Sequence, residues 1–299
     1  MQRLLVVDFT RYLPGAFAGA ELLRLGARVV RVERPGGDPM RTTAPEWHDR
    51  LNAGKESVDW ELARPLLARA DVVLESFRPG VAAQLGIGPD DAPPGCVYCS
   101  ITGFGDSGPH ARRAGHDLNY EGWAGLLEPT APSLPPVQVA DLAAGALAAV
   151  TEILAALLTG GGARIVVSMT HNAHRLAPRA PVLTRGYACY SMYETSDGRH
   201  LTVAALEPKF FTRLCELVGR PELASRQYDD GQDELAAELA EVFRRRPLEE
   251  WLHVFEREDV CVGPVATAAE AEAAFGTPTP GHPAALGEHT AGWRRELGL

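Results

Sequence analysis

The sequence predicts an α/β protein: a large domain on a parallel sheet covered by helices, followed by a smaller α/β domain. Three observations lead there. Across the first 110 residues, short β-branched runs alternate with helix-like stretches, the pattern of a parallel sheet wrapped on both faces. The 299 residues are 45% hydrophobic and 23% charged, an ordinary globular composition with length for one large domain or two modest ones. Near His171 the periodicity lapses around Pro178, Pro181 and Gly186, which reads as a linker over 171–186.

Leu4–Phe9 reads as the first strand. Pro14–Gly26 follows as a helix on which Phe17, Leu22, Leu23 and Leu25 can share one stripe. Arg28–Val32, Ala70–Leu74 and Cys96–Ile101 are the next strands, the last two separated by a turn at Pro79-Gly80 and a short helix. Residues 139–158 form a long helix and Arg164–Met169 another strand. The second unit opens with strand His200–Leu206 and helix Pro208–Gly219. Acidic helices over 232–246 and 248–258, strand Val260–Val265 and helix Thr267–Phe275 complete it. Gly276–Pro283 is a Pro/Gly loop and Glu288–Leu297 a final helix. The domain limits expected are 1–175, a linker at 176–190, a small domain at 191–275 and a C-terminal segment at 276–299.

Several function classes drop out. The net charge is −10, so no broad electrostatic footprint for nucleic acid exists. Lys55 and Lys209 are the sole lysines among 29 basic residues, an arginine bias that suits planar contacts to carboxylate or phosphate. The start shows no basic segment followed by an apolar one, so no export signal is expected. The apolar stretch Leu142–Leu158 carries Thr151 and Glu152 and reads as a buried helix, not a membrane span. Five cysteines, an odd number, argue against a disulfide framework and for a cytoplasmic protein.

Most small motifs have a plain reading. Gly103-Phe-Gly-Asp-Ser-Gly108 matches a dinucleotide fingerprint in part and follows a late strand; Gly160-Gly-Gly162 lacks the Lys-Ser/Thr of a phosphate loop. Both read as turns. Alternation places Cys96 and Cys99 on opposite faces of a strand, against metal or redox use. His171 and His174 could share a helical face as ligands, but a solvated linker is the better reading.

Gly115-His116-Asp117-Leu118-Asn119-Tyr120 is different in kind. A glycine turn ahead of Asp and Asn at a helix start leaves free N–H groups able to hold a developing oxyanion, and a histidine there can move protons near neutral pH. The competing reading has Asp117 or Asn119 capping the helix and His116 as a hydrogen-bonded loop residue. Asp141, amid apolar residues at the start of the long helix, is either a dipole-compensating acid or a buried base. Glu207 sits between a strand end and Pro208, which makes it a helix cap that could project into a cleft.

The Gly115–Tyr120 block resembles the signature of the α-methylacyl-CoA racemases within the class III CoA-transferase superfamily. Further matching blocks run in order along the chain: Leu5–Thr10, Leu25–Pro35, Asn52–Ser57, Ala70–Gly80, Gly103–Pro109, Tyr193–Arg199, Glu207–Phe211, Cys261–Val265 and Leu286–Thr290. The resemblance implies a Rossmann-like large domain, an interlocked homodimer whose linker threads the partner, and a C-terminal segment that returns to the large domain. It implies a cofactor-independent 1,1-proton transfer at the carbon α to an acyl-CoA thioester. His116 and Asp141 match the two opposed bases, Glu207 the residue that orients the histidine, and the N–H of Asp117 the enolate stabiliser. CoA, carried as part of the substrate, is expected against Arg34, Val58, Asp59, Trp60, Glu61, Ser76, Phe77, Arg78, Gly115, Leu118, Asn119 and Tyr120.

The chain departs from the family pattern in places. Glu61 stands where a lysine is common and Gln84 where an arginine often sits, the linker is abbreviated, and Arg185-Gly-Tyr-Ala188 replaces a Gly-Gly-x-Pro stretch. These changes bear on CoA affinity and on the acyl pocket. Racemisation at a 2-methyl centre is the expected outcome. The alternatives are CoA transfer with Asp117 as nucleophile, a repurposed isomerase, lyase or cyclase on a non-CoA substrate, and a non-catalytic scaffold that keeps the fold.

Overall fold

A computed structural model describes residues 4–177, 180–184, 186–277 and 281–299. β1 (Leu5–Asp8), β2 (Arg28–Glu33), β3 (Glu56–Asp59), β4 (Val72–Glu75), β5 (Val97–Thr102) and β6 (Arg164–Ser168) form one sheet in the order β3-β2-β1-β4-β5-β6. Every pairing is parallel. The order reverses between β1 and β4, so the loops leaving their carboxyl ends diverge and open a crevice there.

Strand alternation supplies two cores. Val6, Val29, Val72, Val97 and Ile101 face the helix Leu13–Arg24 and the long helix that begins at Ala140. Val7, Val30, Val58, Val73 and Tyr98 face the other way, where Trp293 of the C-terminal helix Thr290–Leu297 packs. Each such side chain, removed from water, stabilises the fold by about 1.5–3 kcal/mol before entropy is counted. Cys96 and Cys99 fall in different cores, as alternation requires. Burial raises both thiols, that of Cys96 to about 11.

Three details differ from the sequence reading. β3 carries a lone β-branched residue, Val58, and is held as an edge strand by the C-terminal segment. His289 N–H donates to Ser57 O at 2.9 Å, Asp59 N–H to Thr290 Oγ1 at 2.9 Å, and the Trp293 indole to Glu56. Long-range contact, not propensity, makes it a strand. Residues 171–176, read as linker, are instead most of the helix Met169–Leu176. Ser168 caps it by accepting from His171 N–H, Met169 and Ala173 bury one stripe, and Asn172 donates to Ala144 O at 3.0 Å. His171 Nδ1 lies 2.7 Å from Ser168 Oγ and His174 Nδ1 2.9 Å from Ala124 O, so both are exposed residues of a helix and not of a linker. Pro178 and Arg185, named in the same stretch, lie outside the described residues.

The long helix spans Ala140–Leu158, wound as π-helix over Ala140–Leu147 and as α-helix after that. By length and composition it could cross a membrane, yet Ala140, Ala144, Ala149 and Ile153 are packed on the sheet.

The chain divides into two compact units, Met1–Ala177 with Thr279–Leu299, and Pro178–Pro278. The second has an antiparallel sheet of β7 (Tyr190–Glu194), β8 (His200–Ala204) and β9 (Val262–Pro264) in sequence order. Tyr193, Leu201 and Val203 bury against helices Pro208–Leu217, Gln232–Phe243 and Leu248–Phe255, with Phe211, Leu214, Leu239, Phe243 and Trp251 at the centre.

Candidate active site

A cavity of about 500 Å³ opens in the first unit where β1, β4 and β5 end. Its wall includes Arg11 and Tyr12 after β1, Ser76 to Pro79 after β4, and Thr102 and Gly103 at the end of β5. Gly115, His116, Asn119, Tyr120 and Asp141 line it as well. The sheet order alone places an α/β crevice here. The side chains that fill it come from residues far apart in sequence.

His116 is the extended N-cap residue of the helix Asp117–Ala124, with φ −126° and ψ 177°. Its own N–H donates to Asn119 Oδ1 at 3.1 Å, which pins the turn. The tightness around it depends on two glycines. A Cβ on Gly103 would lie 2.4 Å from the Tyr120 ring and one on Gly115 2.8 Å from it, so the ring fits because both lack a side chain. Tyr120 closes this packing by donating its hydroxyl to Gly115 O.

Tyr12 faces His116 edge to face, ring centres 5.7 Å apart. Tyr12 is the one non-glycine with positive φ among the described residues, at 66°, a conformation that costs about 1–3 kcal/mol. Asp38 holds it there. Its Oδ2 accepts from Tyr12 N–H at 3.1 Å and from Arg31 Nη2 at 3.0 Å. Strain anchored by a buried ion pair beside a histidine is the signature of a constrained functional position.

Asp141 lies in the π-helical first turn, 9% exposed, and is part of the cavity wall. Among the described residues that carboxyl accepts no hydrogen bond. Burial, then the neighbouring Asp117 and Glu121, pushes its titration up to about 7. Asp117 is 7% exposed and its Oδ1 accepts the Asp141 N–H at 2.8 Å; burial and Glu121 raise it to about 6 although backbone hydrogen bonds oppose the shift. A carboxyl raised to near neutrality on the wall of a cavity can both give and take a proton at physiological pH.

Arg34 follows β2 and lies over Trp60 at 4.7 Å and Phe77 at 5.2 Å. Its Nη2 is buried with no hydrogen-bond partner, so a flat or anionic group could be received there. The rest of the expected 58–61 block is engaged elsewhere. Val58 is fully buried, Asp59 accepts Thr290 Oγ1 at 3.0 Å, and Glu61 pairs with Arg294 at 2.7 Å. Leu118 is exposed and lies outside the cavity wall. Gln84 ends a short helical turn, Val81–Gln84. In the second unit Glu207 is the exposed N-cap of helix Pro208–Leu217, and its side chain bonds to no backbone N–H of that cap.

Residues 1–278 match CoA-transferase family III. The chain belongs to that family. It is 34% identical over 309 residues to human alpha-methylacyl-CoA racemase, covering 90% of this chain and 78% of that one. It is 33% identical to a probable fatty acyl-CoA transferase, Rv3272, of Mycobacterium tuberculosis, with 84% and 78% covered. Human succinyl-CoA:glutarate CoA-transferase is 32% identical, with 87% and 70% covered. The crystal structure of Rv3272 superposes with a TM-score of 0.83 at 29% identity, covering 97% of each chain. A CAIB/BAIF family protein from Brucella suis gives 0.80 at 29% identity, with 98% of each chain covered.

Within this family III fold, the structure adds residues that the sequence reading passed over. Tyr12, Arg11 and Arg113 line the cavity, and Glu121 stands behind Asp141. Tyr12 is an ordinary aromatic in a helix start until its backbone angle is known. Glu121 offered one signal: an acid four residues after Asp117 on the same face of a short helix.

Proposed function

We propose that this chain is a racemase or epimerase of 2-methylacyl-CoA-type thioesters, working by two-base proton transfer through an enolate. The observation that carries the reading is the pairing of His116 with a buried Asp141, raised to about 7, on the wall of one cavity. A histidine and a carboxyl on one wall match a reaction that must pass a proton in both directions.

In one direction neutral His116 takes the α-proton. The C–H electron pair becomes the enolate, and its oxygen is received by the first N–H groups of the helix Asp117–Ala124, which lack partners within the helix. Protonated Asp141 then donates to the opposite face of the carbon. The product is the epimer, and the reverse direction exchanges the roles. Arg34, with Trp60 and Phe77, would receive the nucleotide end of CoA, and Arg78 the phosphates.

CoA transfer with Asp117 as nucleophile is less well supported. The Asp117 carboxyl is buried, caps the turn of Asp141, and is not part of the cavity wall, whereas an attacking carboxylate has to meet the thioester carbon. The deciding experiment is incubation of a chiral 2-methylacyl-CoA in heavy water, followed by mass and chiral analysis. One deuterium at the α-carbon with loss of chirality supports the reading. CoA exchange onto an added carboxylic acid without α-deuteration would replace it with the transferase. Glu207→Gln tests the assigned orienting role: a displaced pH–rate profile supports it and an unchanged one removes it.

A further inference from the structure

Glu121 has no part in the proton transfer described above, yet it is 2% exposed and lies in a cluster with Asp117 and Asp141. Glu121 and Asp117 are four residues apart on the helix Asp117–Ala124 and project from one face. Both reach the start of the helix that carries Asp141. Glu121 Oε1 accepts the Val139 N–H at 2.8 Å and Asp117 Oδ1 the Asp141 N–H at 2.8 Å. Those N–H groups have no partner inside their own helix, so two side chains from a neighbouring helix fix the turn on which Asp141 is mounted.

The same arrangement crowds three carboxyls in one buried place. Asp117 and Glu121 are the like charges that act on Asp141. Other titratable groups stand on the helix of Glu121 itself and on the helix Met169–Leu176 packed against it. His116 and Tyr120 share the helix of Glu121. His174, on the helix packed behind, has its Nδ1 at the Ala124 carbonyl, 2.9 Å away. Arg78 acts on Tyr120, while the charges acting on Asp141 are Asp117 and Glu121.

We propose that Glu121 is a positioning residue for the proton-transfer centre: it holds the turn that carries Asp141 and, as a third buried carboxyl, keeps a proton at Asp141 ready for the substrate carbon. Its functional meaning rests on the racemase reading above, but its substance is a property of the resting protein. Asp141 and Asp117 titrating near 7 and near 6 accord with it.

The test is carboxyl-carbon NMR titration of the whole chain labelled at aspartate, with Asp141→Asn assigning the signal. Glu121→Gln keeps an acceptor for Val139 N–H and removes the charge. The Asp141 titration should fall by about one pH unit in this variant, and Glu121→Asp should move it back towards the wild-type value. Glu121→Met, apolar and similar in length, provides the same comparison if Glu121→Gln does not fold. An Asp141 signal that stays in place without the Glu121 charge overturns the proposal, as does a wild-type signal in the ordinary carboxylate range. In the α-deuterium exchange assay, the limb of the pH profile due to Asp141 should move to lower pH in Glu121→Gln; an unmoved limb also overturns it. Wild-type protein that exchanges no α-deuterium defeats the racemase reading and leaves the titration result standing, so the two failures are distinguishable.

Discussion

The two sides of the cavity hold their proton-carrying groups by opposite means. His116 is exposed at a helix N-cap, set by one backbone hydrogen bond to Asn119 and flanked by the strained Tyr12. Asp141 is buried in a π-helical turn that Asp117 and Glu121 tie down. The His116 side of the site is a matter of orientation, set by the Asn119 bond and the Tyr12 ring. A carboxyl must be lifted by burial and like charge to do the same work. The difference teaches that the costly part of this site lies behind Asp141.

That comparison can be broken or sharpened experimentally. The largest effect is on the chemistry: His116→Ala and Asp141→Asn should each reduce α-proton exchange by about 10²–10⁴-fold, read by deuterium incorporation. Full activity in either variant removes the two-base assignment.

Stability should then separate the two sides. Below about pH 3, Asp141 is protonated in folded and unfolded chains alike, and its substitution changes little. As pH rises from there to the folded value of about 7, the unfolded chain ionises while the folded carboxyl keeps its proton, so the wild-type protein loses stability. Asp141→Asn avoids that loss. It should therefore be more stable by roughly 2 kcal/mol at pH 8, with the gain vanishing towards about pH 3, as measured by denaturant midpoints across pH. A gain that does not depend on pH would contradict the assigned cause.

On the histidine side, Tyr12→Gly relieves the positive φ and should stabilise the chain by about 1 kcal/mol. The same variant should lower kcat about tenfold through a less restrained His116. Both effects together mark Tyr12 as a strained positioning residue, and a stabilised variant with unchanged kcat would deny it that role. Away from the reacting centre, Arg34→Ala should raise KM for a CoA thioester about tenfold and leave kcat in place. The smallest effect belongs to Asn119→Ala, which loses one member of the turn and should cost under about 1 kcal/mol.

Much of the large domain was legible in the chain. Val29-Val30 and Val72-Val73 bury both neighbours of a pair, as strands covered on two faces must. Pro208 after a strand marked Glu207 as a cap, and the glycine ahead of His116 marked a helix start. Other elements were not legible for definite reasons. Glu56–Asp59 has little strand character and becomes β3 because the C-terminal segment pairs with it and buries Trp293 beside it. Met169–Leu176 reads as linker because its short apolar stripe means nothing until the sheet and the long helix are there to receive it. Asp141 could be named as an acid in an apolar setting, but its near-neutral titration depends on Asp117 and Glu121, which are 24 and 20 positions away in the chain.

By itself, then, the sequence determined the alternation of strands and helices, the residue types of the site and the family. Those depend on periodicity, capping and ordered blocks, which are local. The tertiary structure decided the strand order that opens the crevice, the meeting of His116 and Asp141 on one wall, and the strain at Tyr12. It also decided which carboxyls crowd Asp141. Burial and electrostatics act through space, and a titration or a strained angle belongs to neighbours that the linear chain keeps apart.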